Sequence, residues 1–275
     1  MTTKTIKIRN IKISYIEIGE GSMGSVSKSS SVSTGSTGNI VDASDTVLFL
    51  HGGGLRASTY SKMLNNLAIK YRVIAPDLPG FGNSSVPNFV WNYSGYVNYL
   101  NEFIKNLNLN NIILIGHSLG GGIAIHLAVK SNKIKKLILI DSVGIPPKYS
   151  RNKLALKLIN KSIKELVFMK DRKTAFITIK DFLHNIVHQD RNVFTMAKTV
   201  ENLIYFENKN VFDRINVPTL ILWGTQDELF CKDIAYKFSQ LIKNSELKFI
   251  NGNHDWVLLC EKFKVTNDLI LLLSR

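Results

Sequence analysis

Cysteine is nearly absent from this chain: Cys231 and Cys260 are the two in 275 residues. They form neither a CxxC pair nor a dense framework, which disfavours a disulfide-stapled secreted fold and suits a reducing compartment. Both thiols are expected to be inert packing residues. A long apolar run is missing too. No window approaches the roughly 18 apolar residues of a membrane span, and MTTKTIKIRN enters a strand-like alternation without the apolar segment of a signal peptide. A cytoplasmic protein without a membrane span is expected. Acidic side chains are also scarce, 21 against 35 Lys and Arg, for a net charge of +14. Such an excess can attract nucleic acid, anionic lipid or an acidic substrate. Here Lys outnumbers Arg 27 to 8 and no basic cluster is interleaved with aromatics. Bidentate phosphate recognition favours Arg, so no nucleic-acid partner is expected and the lysines read as a solvated surface.

What is present is an alternation of apolar strands and helical segments. KTIKIRNIKISYIEI (4–18) alternates apolar and polar residues about an Arg-Asn turn, the pattern of an antiparallel hairpin. A Ser/Gly-rich stretch at 21–39 reads as a flexible loop. Then come TVLFL (46–50), a helix near 58–70, YRVIAPD (71–77), a helix near 93–107, NIILIG (111–116), a helix near 119–130 and IKKLILID (134–141). Strands that are apolar throughout and separated by helices imply a parallel sheet covered on both faces. From 146 to 210 the rhythm breaks into helices alone, and it resumes with PTLILWG (218–224), a helix near 232–243, ELKFI (246–250) and a last helix near 261–273. The expected class is α/β: a mostly parallel eight-stranded sheet with one helical insertion. The core is 1–145 and 211–275, and the insertion is 146–210.

At the junction of NIILIG and the following helix stands GHSLGG (116–121). Alone, GxSxG is a weak signal. Its context is strand, sharp turn, helix, with Gly116 and Gly120 leaving room for a strained Ser118 and the helix N-terminus aimed at it. A serine hydroxyl is a poor nucleophile at neutral pH; it needs a general base, and the base needs a carboxylate to orient it. Loops after later strands provide both. GTQDELF follows PTLILW and carries Asp227, and NGNHDW follows ELKFI and carries His254. Glu228 and Asp141 are alternative acids, with Asp227 preferred for its place in the loop before a helix, while Asp255 adjoins His254 and is poorly placed to reach its ring. An oxyanion also needs N–H donors. HGGG (51–54) ends TVLFL, and its glycines let backbone amides approach a substrate oxygen closely. The N–H groups of Gly53, with Gly54 as neighbour candidate, and of Leu119 are the expected pair.

HGGG, DLPGFGNS (77–84), GHSLGG, GTQD (224–227) and GNH (252–254), in that order, resemble the α/β-hydrolase superfamily. The resemblance spans nearly the whole chain outside the Ser-rich loop. It implies an α/β-hydrolase fold, a Ser118–Asp227–His254 triad and a helical cap at 146–210 roofing the site. Two departures stand out: Asn253 precedes the histidine where glycine is common, and the 21–39 loop replaces a short connection.

The remaining candidates are weaker. His184 and His188 in HNIVH invite a metal reading, but the zincin pattern needs Glu where Asn185 stands, so no metal is expected. His51 and His117 are expected to shape backbone, and His126, with no obvious partner, to pack. The DLPGFG glycines lack dinucleotide spacing and read as a turn. Residues 148–173 hold nine Lys and Arg against Glu165 and Asp171, a candidate site for an acidic acyl carrier but more simply a solvated helix face. Leu166, Phe168, Met169, Phe176, Phe182 and Phe194 are candidates for lining an acyl pocket or packing the insertion on the core.

These readings converge on a cofactor-independent serine hydrolase acting on a small-molecule ester. By resemblance, Ser118 argues against branches that place Asp there. Thioester, carbon–carbon and amide substrates stay open, as does a non-enzymatic ligand receptor that keeps the fold and triad.

Overall fold

The computed structural model describes residues 2–19, 45–154, 156–157, 160, 172–187, 193–208, 210–255 and 257. The Ser-rich 21–39 stretch, the last helix expected near 261–273, Cys260, His188, Leu166, Phe168 and Met169 lie outside them.

Strands β1 (Thr2–Ile8) and β2 (Ile11–Ile18) form the expected hairpin, turned at Arg9, whose φ is 53°. The strands β3 (Thr46–Leu50), β4 (Arg72–Pro76), β5 (Ile112–His117), β6 (Ile134–Ile140), β7 (Thr219–Gly224) and β8 (Ser245–Ile250) complete one eight-stranded sheet in the order β1-β2-β4-β3-β5-β6-β7-β8. From β4 to β8 every pairing is parallel; β2 joins β4 antiparallel, which puts the hairpin at one edge.

β3, β5 and β7 are buried along their whole length because each face of the sheet packs on helices, whereas β8 at the sheet edge carries Glu246 and Lys248 and is only half-buried. Leu48, Leu50, Leu114, Leu139 and Trp223 point into one core with α2 (Tyr93–Asn106), α3 (Leu119–Lys130) and α6 (Lys232–Leu241). Their neighbours Val47, Phe49, Ile113, Ile115 and Leu222 point the other way, onto α1 (Ser61–Leu67). Each such side chain removed from water contributes about 1.5–3 kcal/mol. α1 is shorter than its expected span because Ala57–Tyr60 forms a 3-10 turn before it and residues 68–70 a turn after it.

Between β6 and β7 the described residues hold helices and no strand, notably α4 (Arg172–Val187) and α5 (Val193–Ile204). α5 buries Leu203 and Ile204 in the core beside α3. α4 is the reverse of a core-facing helix: Asp181 and Asn185 are buried, whereas Phe176, Leu183 and Val187 are exposed. Asp181 pairs with Arg56 at 2.5 Å and accepts the Thr59 hydroxyl at 2.8 Å. Asn185 accepts the Gly82 N–H and donates to the Gly54 carbonyl, both at 2.7 Å. Polar groups therefore seat α4 on the loops after β3 and β4. Phe176 and Phe194 are 68% and 75% exposed, so neither lines a closed pocket nor packs the insertion on the core.

Two smaller expectations also change. Cys231 is exposed at the start of α6 and is not a packing residue. His126 does have a partner: its Nε2 lies 2.6 Å from the Asn208 Oδ1, and its ring stacks on Tyr93 at 4.1 Å.

Candidate active site

From β3 the chain moves to β4 on one side and then to β5 on the other, which opens a crevice beyond the carboxyl ends of β3 and β5. HGGG leaves the end of β3 and Ser118 follows β5, so the strand order brings the two motifs together. The carboxyl ends of β7 and β8 lead into Asp227 and His254 at the same end of the strands.

Ser118 sits between β5 and α3 with φ 49° and ψ −116°, a conformation that costs on the order of 1–3 kcal/mol. Its surroundings hold it there. Its N–H donates to the Ile140 carbonyl at 2.9 Å, and its carbonyl accepts from Gly121, Gly122 and Val143 at 2.9, 3.3 and 3.1 Å. Serine at a helix start usually caps it through the hydroxyl, yet this side chain makes no cap hydrogen bond. The glycines are steric requirements. A Cβ on Gly116 would lie 2.5 Å from the Gly120 oxygen, and one on Gly120 would lie 2.3 Å from the Leu50 oxygen.

Gly53 faces Leu119: a Cβ built on it would be 3.4 Å from the Leu119 Cδ2 and 3.7 Å from the Val200 Cγ1. Leu119 opens α3, where an N–H has no intrahelical acceptor. Phe182 of α4 lies against Gly54, with ring carbon 3.2 Å from a Cβ position there.

His254 Nδ1 lies 2.8 Å from Asp227 Oδ2, both side chains buried. The other Asp227 oxygen accepts the N–H groups of Leu229 and Phe230 at 2.7 and 2.9 Å, which aims the carboxylate. Asp141, the alternative acid, spends one oxygen on the Gly224 N–H at 2.7 Å, and Glu228 is exposed. Of the three carboxylates, Asp227 is the one hydrogen-bonded to the ring. Burial disfavours the His254 cation, but the attraction and hydrogen bond of Asp227 outweigh it and hold the imidazole at about 9.

The other histidines near the crevice organise backbone. His51 Nε2 accepts the Leu78 N–H at 2.9 Å and its Nδ1 lies 2.8 Å from the Gly52 carbonyl. Asp77 holds Ala57 and Asn83 through N–H bonds of 2.8 Å each, so DLPGFGNS is a structural turn. His117, His254 and Asp255 come within 4.8 Å through their ligand-type atoms, as do Asp141, Asp227 and His254. Both His117 nitrogens face hydrogen-bonding partners and His254 Nδ1 faces Asp227.

Tyr60, Arg56 and Asp181 stand in no recognisable motif, and their neighbours in sequence carry no signal of these contacts. Asn185 was visible only as the residue that spoils a zinc pattern.

A family model described as the alpha/beta hydrolase fold matches residues 45–165. The AB hydrolase superfamily protein YisY of Bacillus subtilis (strain 168) is 30% identical over 247 residues, covering 83% of this chain and 91% of that one. A 2-hydroxy-6-oxo-6-(2'-aminophenyl)hexa-2,4-dienoic acid hydrolase of Metapseudomonas resinovorans is 26% identical over 243 residues, covering 83% and 84%. In fold, the esterase EaEST from Exiguobacterium antarcticum superposes along the full length of both chains with a TM-score of 0.78 at 22% identity. Eight strands in this order, a strained serine after β5 and similarity along most of the chain lead to one conclusion: the protein belongs to the α/β-hydrolase superfamily.

Proposed function

We propose that the protein is a serine hydrolase that cleaves carboxylic esters of small or medium apolar acyl groups through an acyl-enzyme. The observation that carries this is a strained Ser118, its hydroxyl not used as a helix cap, at the carboxyl end of the strands that also bears a buried His254–Asp227 hydrogen bond of 2.8 Å. In the proposed cycle neutral His254 takes the Ser118 proton as the hydroxyl oxygen attacks the ester carbonyl. The N–H groups of Gly53 and Leu119 hold the oxyanion, each worth about 3 kcal/mol in comparable sites. The resulting imidazolium, stabilised by Asp227, protonates the leaving alkoxide, and the ring then takes a proton from the water that cleaves the acyl-serine. No cofactor or metal enters these steps. Residues 146–210 act as a cap on a core of 1–145 and 211–275, with α4 seated on the HGGG loop.

A second substrate class is favoured by one similarity. The Metapseudomonas resinovorans relative is named as the hydrolase of a 2-hydroxy-6-oxo dienoic acid, so carbon–carbon hydrolysis of a vinylogous diketone is the alternative for the same machinery.

The test is a panel of p-nitrophenyl esters of increasing chain length with one dienoic diketone, run beside Ser118→Ala. Ester turnover reduced on the order of 10⁶-fold in the variant is expected. Undiminished turnover in the alanine variant overturns the mechanism. Labelling of Ser118 by a fluorophosphonate without turnover of any panel member points instead to a ligand receptor.

A further inference from the structure

The residue before the nucleophile takes no part in the proposed cycle, yet it touches the two other loops of the site. His117 is 1% exposed. Its Nδ1 lies 2.6 Å from the Tyr60 hydroxyl, and its Nε2 lies 3.1 Å from the backbone carbonyl of His254, 137 residues away. The same Tyr60 hydroxyl accepts the Gly52 N–H at 3.0 Å, at the start of the oxyanion loop. Tyr60 is also 1% exposed.

Proton inventory fixes the direction of this chain. A backbone N–H only donates, so the Tyr60 oxygen accepts from Gly52, and toward a neutral ring its single proton turns to His117 Nδ1. That nitrogen is then a bare acceptor. A carbonyl only accepts, so the proton of the ring is on Nε2 and is donated to His254. With the ring neutral, as its burial favours, all three bonds are satisfied by one tautomer, His117 in the Nε2–H form.

We infer that Tyr60 and His117 are positioning residues forming a hydrogen-bonded brace, Gly52 N–H to Tyr60 to His117 to the His254 carbonyl. The brace fixes the oxyanion loop and the base-bearing loop relative to Ser118. It rests on the ester-hydrolase reading for its catalytic consequence, but not for its geometry. The brace also keeps the ring beside His254 uncharged. The two ring centroids are 5.1 Å apart, and a cation on both would oppose the imidazolium that the proposed cycle needs. Burial first, and then the neighbouring His254 charge, depress His117 to about 3, against the pull of Asp255 and Asp227. Those three are the charged groups facing it.

The test has two arms on the full chain. Two-bond proton–nitrogen spectra of protein labelled with ¹⁵N-histidine report the tautomer of each ring, with His117 assigned by its loss in His117→Gln or, where that variant does not fold, by its contact with the Tyr60 ring. A neutral Nε2–H ring that does not titrate between about pH 5 and 9 is expected. An Nδ1–H ring, or protonation in that range, overturns the brace. In the second arm Tyr60→Phe, checked for native circular dichroism, is expected to lower kcat on the order of ten- to a hundredfold, with KM held within about twofold. It should also release His117 into a mixture of tautomers. His117→Gln, which keeps an N–H near the Nε2 position, should retain more kcat than His117→Ala. An unchanged kcat in Tyr60→Phe overturns the positioning role even where the tautomer is as inferred. Loss of the ester-hydrolase reading would show separately, as Ser118→Ala turnover equal to wild type, and leaves the tautomer measurement standing.

Discussion

His254 answers to two opposed demands. Its hydrogen bond to Asp227 stabilises the cation, yet a general base, the role proposed for it, must start neutral. With its ring held at about 9, kcat/KM for a neutral ester should rise with pH and level off only above an inflection near that value. Asp227→Asn removes the attraction, so the inflection should move down by more than one pH unit, while kcat falls on the order of 10⁴-fold. A pH–rate profile of both proteins checks this. Stability follows the opposite sign. The folded ring binds its proton more tightly than an unfolded histidine of about 6.5, so this contribution is complete below pH 6.5 and is lost as pH rises through 9. Thermal scans should show Asp227→Asn costing more at pH 6 than at pH 10. A second residue-level outcome concerns Gly120. A methyl group there meets the Leu50 carbonyl at 2.3 Å, and backbone cannot swing aside as a side chain can. Gly120→Ala should lower the free energy of unfolding by about 3 kcal/mol in a urea titration. The serine, the two glycines and the histidine were legible in sequence because strand, turn and helix fix them locally. The choice of Asp227 over Asp141 was weaker there, since both follow strands and only the three-dimensional aim of each carboxylate separates them.

At the scale of elements, α4 is where pattern and packing part company. Its apolar residues promise a helix but not an orientation, and the helix turns Phe176, Leu183 and Val187 outward while Asp181 and Asn185 face the core loops. Burying a polar group is tolerable only when it is bonded, and here Arg56, Thr59, Gly54 and Gly82 supply the bonds. Asp181→Ala strands the Arg56 charge beneath the helix. It should lower stability by about 3 kcal/mol in chemical denaturation, with much of the loss recovered in the double variant Asp181→Ala, Arg56→Met. No recovery in the double variant would mean that the ion pair is not what holds α4. Nothing in HNIVH announces the Asn185 contacts, because their partners Gly82 and Gly54 lie more than a hundred residues upstream.

Across the whole molecule, the sheet order matters more than any one motif. The switch from β4 to β5 around β3 makes the crevice, and the antiparallel hairpin forms the sheet edge on the β4 side. The net charge of +14 acts at this scale as well. Lysines dispersed over a surface bind polyanions by counterion release and without sequence preference, so retention on immobilised duplex DNA at low salt should vanish by about 0.15 M salt. Retention that persists and depends on sequence would make nucleic acid a genuine partner. No helix among the described residues is long and apolar enough to cross a membrane.

The sequence by itself determined the alternation of buried strands and helices, and with it the position of each motif at a strand end. Periodicity and turn chemistry act over a few residues, so they survive without a fold. Tertiary structure decided what faces what: which carboxylate meets His254, which side of α4 is inward, and that the His117 ring joins Tyr60 to a carbonyl 137 residues away. Those pairings depend on strand order and register, and register is a property of the assembled sheet.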